Sequence, residues 1–246
     1  MLSRLSEWFV NFRNDFIRIF IVDNRWRYLW NGLGVTLTIT LFSLLMGLVI
    51  GIIVAILRAS HDKNVNSMRP GPGRALIKTT NRICKIYLTV IRGTPLVLQL
   101  LIFWLVIMVS VRDIVLIAIV GVGINAGAYI AEIFRSGIMS IDSGQFEAGR
   151  SLGFNYVQTM WHIILPQAFK NVLPTLANEF IVLLKETAVV GYISLQDLTN
   201  AGHIIVGRTF NAMMPLFAVA IIYLVMVMFF TWLVGILERR LRSSEH

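Results

Sequence analysis

The residues best placed to do chemistry are carboxylates inside an apolar stretch. Gln167 to Val190 is apolar overall yet contains Glu179, Lys185 and Glu186. A lipid-facing helix would not tolerate them, so this segment is expected among other helices. Thr175, Glu179, Val182 and Glu186 share one helical face by their spacing of four, three and four. Counting about 1.5 Å per residue from Pro166 puts Glu179 roughly 20 Å into the membrane, near or just beyond the midplane. A carboxylate there must face a wet cavity or a cation. It is a candidate to bind the cationic or amino group of a substrate, or else to make a structural ion pair or helix–helix hydrogen bond, for instance with Lys185 of a neighbouring subunit. Lys185 and Glu186 lie nearer the outer face and suit an outer gate or a docking role.

Other chemistry is thinner. Asn125 sits in the small-residue run Gly121 to Ala128, where helices approach closely and one amide reaches across. Asn125 is a substrate-contact candidate, followed by Gln99 and Thr94. His61, His162, His203 and His246 are scattered, and Cys84 is the only cysteine, so no metal cluster or internal disulfide is expected. The methionines between Met213 and Met228 read as packing residues. No segment fits G-x-x-x-x-G-K-[ST], so the chain is expected not to hydrolyse ATP by that route.

The elements that must position these residues are membrane helices. The 246-residue chain is 57% hydrophobic and 14% charged, with mean hydropathy +0.74. No charge occurs in Gly32–Leu57, Gly93–Val111, Ile114–Ala131 or Thr209–Leu237. Each run can cross roughly 30 Å of hydrocarbon. With the polar-striped segment, the expectation is an all-α membrane protein with about five spans, at about 31–57, 93–111, 114–135, 167–190 and 212–237. These sit in a membrane domain over residues 30–240, followed by a tail over 241–246. Residues 1–29 form an N-terminal segment in which Phe9, Phe12, Phe16 and Phe20 oppose Glu7, Asn11, Asn14 and Arg18, the pattern of an interfacial helix. No cleavable signal pattern follows Met1, so the first span is expected to be retained.

The net charge of +9 lies beside and between the spans, which points to membrane topology and not to nucleic acid. The basic stretch Arg58 to Arg92, broken by Pro70-Gly71-Pro72-Gly73, reads as a cytoplasmic linker. Alternation then puts Arg112 outside, Arg135 to Lys170 inside, Gly191 to Arg208 mostly outside and Arg239, Arg240 and Arg242 inside. Arg4, Arg13, Arg18, Arg25 and Arg27 fall on the outer side against this rule, interspersed with Glu7, Asp15 and Asp23.

The loop over 140–166 is longer than a connection needs. Asp142 followed by Gln145 starts a helix, Gly153 ends it in a left-handed conformation, Asn155 followed by Gln158 starts a second, and Pro166 marks a break before the next span. The expected object is a helix-turn-helix on the cytoplasmic side.

Here the residues match a family. Glu147-Ala148-Gly149, then Gly153, then Ile163 and Leu165-Pro166 resemble the signature loop of permease subunits of binding-protein-dependent ABC importers. Gly149 departs from it, since the family usually has a second alanine there. Tyr129 to Arg135, Ser140 to Gln145, Arg92-Gly93-Thr94-Pro95-Leu96, Asn178 to Ile181 and Leu184 to Thr187 resemble the polar amino acid branch, the glutamine, histidine and arginine type.

The resemblance implies a bacterial cytoplasmic-membrane permease whose paired copies, identical or paralogous, form the pathway for a polar amino acid. A separate ATPase carrying ATP and magnesium would dock below and a solute-binding protein above, with no cofactor in this chain. It also implies that Ala148, Gly149 and Gly153 let the loop sit close in a groove of the ATPase, with Glu147 supplying a charged contact or a cap. Two rivals compete: an ion-gradient-driven amino acid transporter using the buried acids, which leaves the loop unexplained, and a membrane enzyme, for which no catalytic cluster is visible.

Overall fold

The computed structural model describes residues 2–65 and 68–242. The tail from residue 243 and the side chains of Arg4, Phe9, Lys63 and Arg242 lie outside the described residues. Among the described residues the chain is helical, with no β-strand. Its elements are α1 (Leu2–Phe16), α2 (Trp26–Asn64), α3 (Pro72–Gly93), α4 (Leu96–Ile102), α5 (Ile114–Met139), α6 (Ser143–Ser151), α7 (Tyr156–Thr159), α8 (Leu165–Glu186), α9 (Leu198–Thr209) and α10 (Met213–Arg242).

By length and composition α2, α5 and α10 can each cross a membrane, and α3 with α4 can do so together as a bent pair. Helix α8 has the length, at 22 residues, but is more polar, as its embedded charges require. Helices α2, α5 and α10 run past the expected span ends because helices continue beyond the hydrocarbon, whereas α8 stops at Glu186, short of the expected 190, where a 3-10 turn over Thr187–Ile193 takes over. At 39 residues, α2 is roughly 58 Å long.

The scaffold is the pairing of α2 with α5, the most extensive helix contact in the fold. Small residues make it possible. A Cβ at Gly51 would lie 2.5 Å from the Ile130 side chain and 3.0 Å from the Ala131 backbone nitrogen, and one at Gly127 would lie 2.9 Å from Ile50. Such small-residue seams replace the hydrophobic drive that lipid cannot supply. The buried hydroxyls along α2 are satisfied across the seam or locally: Ser43 Oγ donates to the Ile119 carbonyl at 3.2 Å, and Thr40 Oγ1 to the Thr36 carbonyl at 2.8 Å.

Two expectations fail in the region between the first and third spans. The presumed linker Arg58 to Arg92 is mostly helix. Pro72 opens α3 at a position where its missing N–H costs nothing, and Asn81, Cys84 and Leu88 are buried against the scaffold. Basic residues decorate the other faces of α3, which is why the stretch read as a loop. The expected span 93–111 is also broken. Thr94 is extended (φ −123, ψ 146) because a residue before proline avoids the helical region, and α4 leaves α3 at a bend of 109°. Even with the π-turn Phe103–Ile107 the outgoing arm is too short to cross alone.

The bundle has two distinct ends. At one, Ile19, Phe20 and Leu29 pack with Leu198, Ala201 and Ile205 of α9. Phe20 is therefore buried in protein and not in a membrane surface, because the chain kinks at Asp23 and Asn24, both at positive φ, and folds the segment after α1 against α9. The arginines that broke the charge rule are partly neutralised there: Arg18 pairs with Asp15 at 3.1 Å and Arg25 with Asp23 at 2.6 Å, while Arg208 lies over Tyr28. At the opposite end Ala59, Ile138, Met160, Ile164 and Ala168 form a second cluster beneath the loop that follows α5. The N-terminus and that loop are thus at opposite ends, as alternation of the spans requires. Around the rim α10 exposes Phe217, Ile221, Leu224, Val225, Met228 and Trp232, a face suited to lipid.

The seam predicts an asymmetry between two glycines of α2. Gly51→Ala overpacks it and lowers the stability of the purified chain in detergent by about 1–3 kcal/mol. Gly34→Ala, where a Cβ meets nothing within 4 Å, leaves the thermal midpoint unchanged or higher. Equal midpoints for the two variants would mean that the seam is looser than described.

Candidate functional site

The loop between α5 and α8 is built by local signals. Asp142 caps α6 by accepting from the Gly144 N–H at 2.7 Å. Gly153 ends that helix at φ +81, with its N–H on the Arg150 carbonyl and the Phe154 N–H on the Gly149 carbonyl, the paired bonds of a Schellman cap. Two residues later Asn155 and Gln158 exchange side-chain and backbone hydrogen bonds, both at 2.9 Å, in a capping box that opens α7. Helix, turn and helix are as the spacing predicts.

The structure differs from expectation at three points of this loop. Pro166 marks no break: α7 runs through a π-turn at Met160–Ile164 into α8, the Leu165 N–H reaching the Met160 carbonyl, so the second short helix is continuous with the span. Gly149 does not face outward. It is buried against α7, where a Cβ would lie 2.6 Å from Thr159 Cγ2 and 2.8 Å from Thr159 Oγ1. Thr159 thus leaves no room for the Cβ of an alanine at this position. Glu147 caps nothing, because Asp142 and Asn155 cap the two helices, and its side chain lies on the surface beside exposed Ala148.

The surface of the loop carries residues that the sequence reading passed over. Leu152, Phe154, Val157 and Trp161 are exposed, three of them by two thirds or more of their area (73%, 71% and 66% for Leu152, Val157 and Trp161). Large apolar side chains beyond the spans mark a contact surface, and their density in a loop was the available signal. Beneath them the stacked rings of Phe146 and Tyr156, 6.4 Å apart, and the cluster around Ile164 seat the loop on the inner ends of α2 and α5.

Those inner ends are also clamped electrostatically. Arg58 of α2 pairs with Glu132 of α5, Arg135 Nε lies 3.1 Å from the same carboxylate, and Arg135 Nη1 lies 3.7 Å from Asp62. The signal for this cluster is in the charge-free runs: Arg58 and Glu132 are the first charges after two of them.

Of the pathway candidates, Thr94, Gln99 and Asn125 are brought together, but as a structural unit. Gln99 Nε2 donates to the Ile91 and Thr94 carbonyls at 2.7 and 3.0 Å and lies 2.8 Å from Thr94 Oγ1, while Asn125 Nδ2 donates to Gln99 Oε1 at 3.0 Å. Gln99 and Asn125 are buried, at 6% and 4% exposure. The Gln99 amide is consumed in capping α3 at the elbow and in tying it to α5 through Asn125 Nδ2.

Glu179 sits apart from them on α8. Beyond its first turns, where Pro166, Phe169 and Lys170 are exposed, the exposed positions of that helix, Asn171, Thr175, Asn178, Val182 and Lys185, form a largely polar face, with Glu179 and Glu186 half-buried along its edge. Asn171 and Thr175 line a cavity of about 430 Å³ with Ser136, Ser140 and Glu132. Of the stripe read from the spacing, Thr175 and Val182 are exposed while Glu179 and Glu186 lie half-buried at the edge, so the polar face is turned towards Asn171, Asn178 and Lys185.

Comparison with known proteins agrees with this geometry. Residues 73–243 match the family described as binding-protein-dependent transport system inner membrane component. The arginine transport system permease protein ArtQ of Bacillus subtilis is 41% identical over 166 residues, 66% of this chain and 76% of that protein. The glutamine transport system permease protein GlnP of Escherichia coli K12 is 35% identical over 166 residues, with the same coverage. Among solved structures, an amino acid ABC transporter crystallised with histidines superposes with a TM-score of 0.78 at 35% identity, over 90% of this chain and 98% of that one. The inward-facing MetNI methionine transporter, at 22% identity and TM-score 0.69, shares the fold over 87% of this chain and 95% of its own. The gradient-driven alternative draws no support from these comparisons.

The contact between α6 and α7 makes a reciprocal prediction. Gly149→Ala alone destabilises the chain by about 1–3 kcal/mol through overpacking, and Thr159→Ala in the same chain recovers most of that loss. A double-mutant cycle of thermal unfolding in detergent measures the coupling, and strict additivity would contradict the packing described.

Proposed function

The chain belongs to the family of binding-protein-dependent transport system inner membrane components, and from that premise we propose that it forms half of the membrane pathway of an importer for a polar amino acid. It is the permease subunit of an ATP-driven system. In this reading it is a multi-pass protein of a bacterial cytoplasmic membrane with no catalytic site or cofactor of its own, and ATP and magnesium belong to a separate ATPase. A solute-binding protein delivers the substrate at the opposite end.

The observation that carries the reading is the loop at the inner end of α5. It is capped at both helix starts, seated on the α2–α5 scaffold and continuous with α8, and it presents Leu152, Phe154, Val157 and Trp161 to solvent. A rigid body docking on that face would move α8 without slack, because no loose segment intervenes. Glu147 and Ala148 lie on the same loop as contact residues, whereas Gly149, Gly153 and Pro166 act on its shape.

The polar face of α8 supports the pathway. Lipid is a poor solvent for Asn171, Thr175, Asn178 and Lys185, so in the assembly this face meets a second copy or a paralogue across a wet passage. Glu179 is then the group that meets the substrate's ammonium or side-chain cation, with Lys185 and Glu186 towards the outer mouth. The substrate class follows the relatives that carry arginine and glutamine in their names.

Two measurements test this. Proteoliposomes holding the complete complex and its binding protein should take up arginine, glutamine or histidine only with internal ATP, and uptake driven by a sodium or proton gradient without nucleotide would overturn the reading. Replacing Trp161 and Val157 together with Ala should reduce recovery of the ATPase with the permease at least several-fold, while Glu179→Gln should leave assembly intact and change uptake or selectivity. A normal uptake profile for Glu179→Gln would return that residue to a structural role.

A further inference from the structure

We propose that the cleft between α3 and the inner ends of α2 and α5 binds the phosphate of an anionic phospholipid from the cytoplasmic leaflet. The cleft is about 420 Å³ and is lined by Arg58, Lys85, Thr89, Arg92 and Glu132. Three cations face one carboxylate, and that carboxylate already serves Arg58 and Arg135. The Nε–H of Arg58 is buried without a hydrogen-bond acceptor among the described residues. A buried donor beside uncompensated positive charge calls for an anion.

Depth selects the lipid. Arg58, Arg92 and Glu132 each stand at the end of a charge-free run: Gly32–Leu57 stops at Arg58, Gly93–Val111 begins after Arg92, and Ile114–Ala131 stops at Glu132. All of these runs meet their first charge at this cleft, which sets it at the boundary of the hydrocarbon, where headgroup phosphates lie. Ile83, Ile86 and Val90 are exposed on the other side of α3, away from the cleft, an apolar face suited to acyl chains. Lipid therefore lies alongside the helix that carries the cleft's cations, and basic pockets between membrane helices on the cytoplasmic side hold headgroups.

The site lies apart from the exposed face of the docking loop; it shares Glu132 with the cavity along α8 and takes its leaflet from the orientation proposed above, while its binding test needs neither ATP nor transport. Its test is binding to the purified full-length chain in uncharged detergent, followed by native mass spectrometry with phosphatidylglycerol and phosphatidylcholine as probes. Phosphatidylglycerol should be retained preferentially. Lys85→Gln with Arg92→Gln, both surface residues, should weaken it roughly tenfold or more. Lys78→Gln with Arg82→Gln removes the same charge from the same helix outside the cleft and should leave retention within about twofold. The conservative pair Lys85→Arg with Arg92→Lys should bind as the parent does, and loss there would mean that charge is not what is read. Equal retention of both lipids, equal losses in the two Gln pairs, or displacement by inorganic phosphate or free arginine at matched concentration would each overturn the proposal.

Discussion

The backbones of α2 and α5 approach so closely that Gly51 has no room for a Cβ, and the rest of the structure hangs on that contact. In lipid no water is expelled when two helices meet, so the pair must be held by dispersion between close surfaces and by polar links. Both are present. The small-residue seam runs through the middle, Ser43 bonds the Ile119 carbonyl across it, and the Arg58–Glu132 pair clamps the inner end. Near the other end the Leu198 N–H of α9 bonds Thr36 Oγ1 at 3.1 Å.

From that seam the functional parts follow by attachment. The elbow between α3 and α4 is fixed to α5 through Gln99 and Asn125, and through the Tyr87 hydroxyl, which donates to the Ile124 carbonyl at 2.6 Å. The helix-turn-helix sits on Ala59 and Ile138 at the inner ends of the same two helices. Helix α8 grows out of that loop and packs back onto α5. A push on the loop therefore reaches both the scaffold and the polar face that carries Glu179. The π-turn at Met160–Ile164 keeps that route helical where Pro166 removes a backbone donor.

What could be read from the sequence was what is decided within four residues of chain. Asp142, Gly153 and the Asn155–Gln158 pair define the loop by local hydrogen bonds and one left-handed residue, so spacing sufficed. The apolar runs of α2, α5 and α10 were equally legible, and the stripe on α8 followed from helical periodicity. Relations across the fold were not. Gly149 reads as a surface contact until Thr159 is found opposite it. Gln99 and Asn125 look like lone polar groups in apolar helices until they are found bonded to each other. Helix α3 was hidden because its basic faces resemble a loop once its buried face is unknown, and the 109° elbow needed both Pro95 and the α5 surface to define it. The exposed apolar residues of the loop were visible but unread, since exposure is a property of the fold.

The proposed coupling rests on a rigid turn at Gly153. Gly153 stands at φ +81 with nothing of this chain within 4 Å of where a Cβ would sit, so Gly153→Val strains the Schellman turn without a clash inside the chain. The decisive measurement is the number of ATP molecules hydrolysed per amino acid imported by the reconstituted complex carrying that substitution. Hydrolysis is expected to persist while import falls, raising the ratio at least several-fold with the ATPase still bound. An unchanged ratio with a fully active transporter would contradict it.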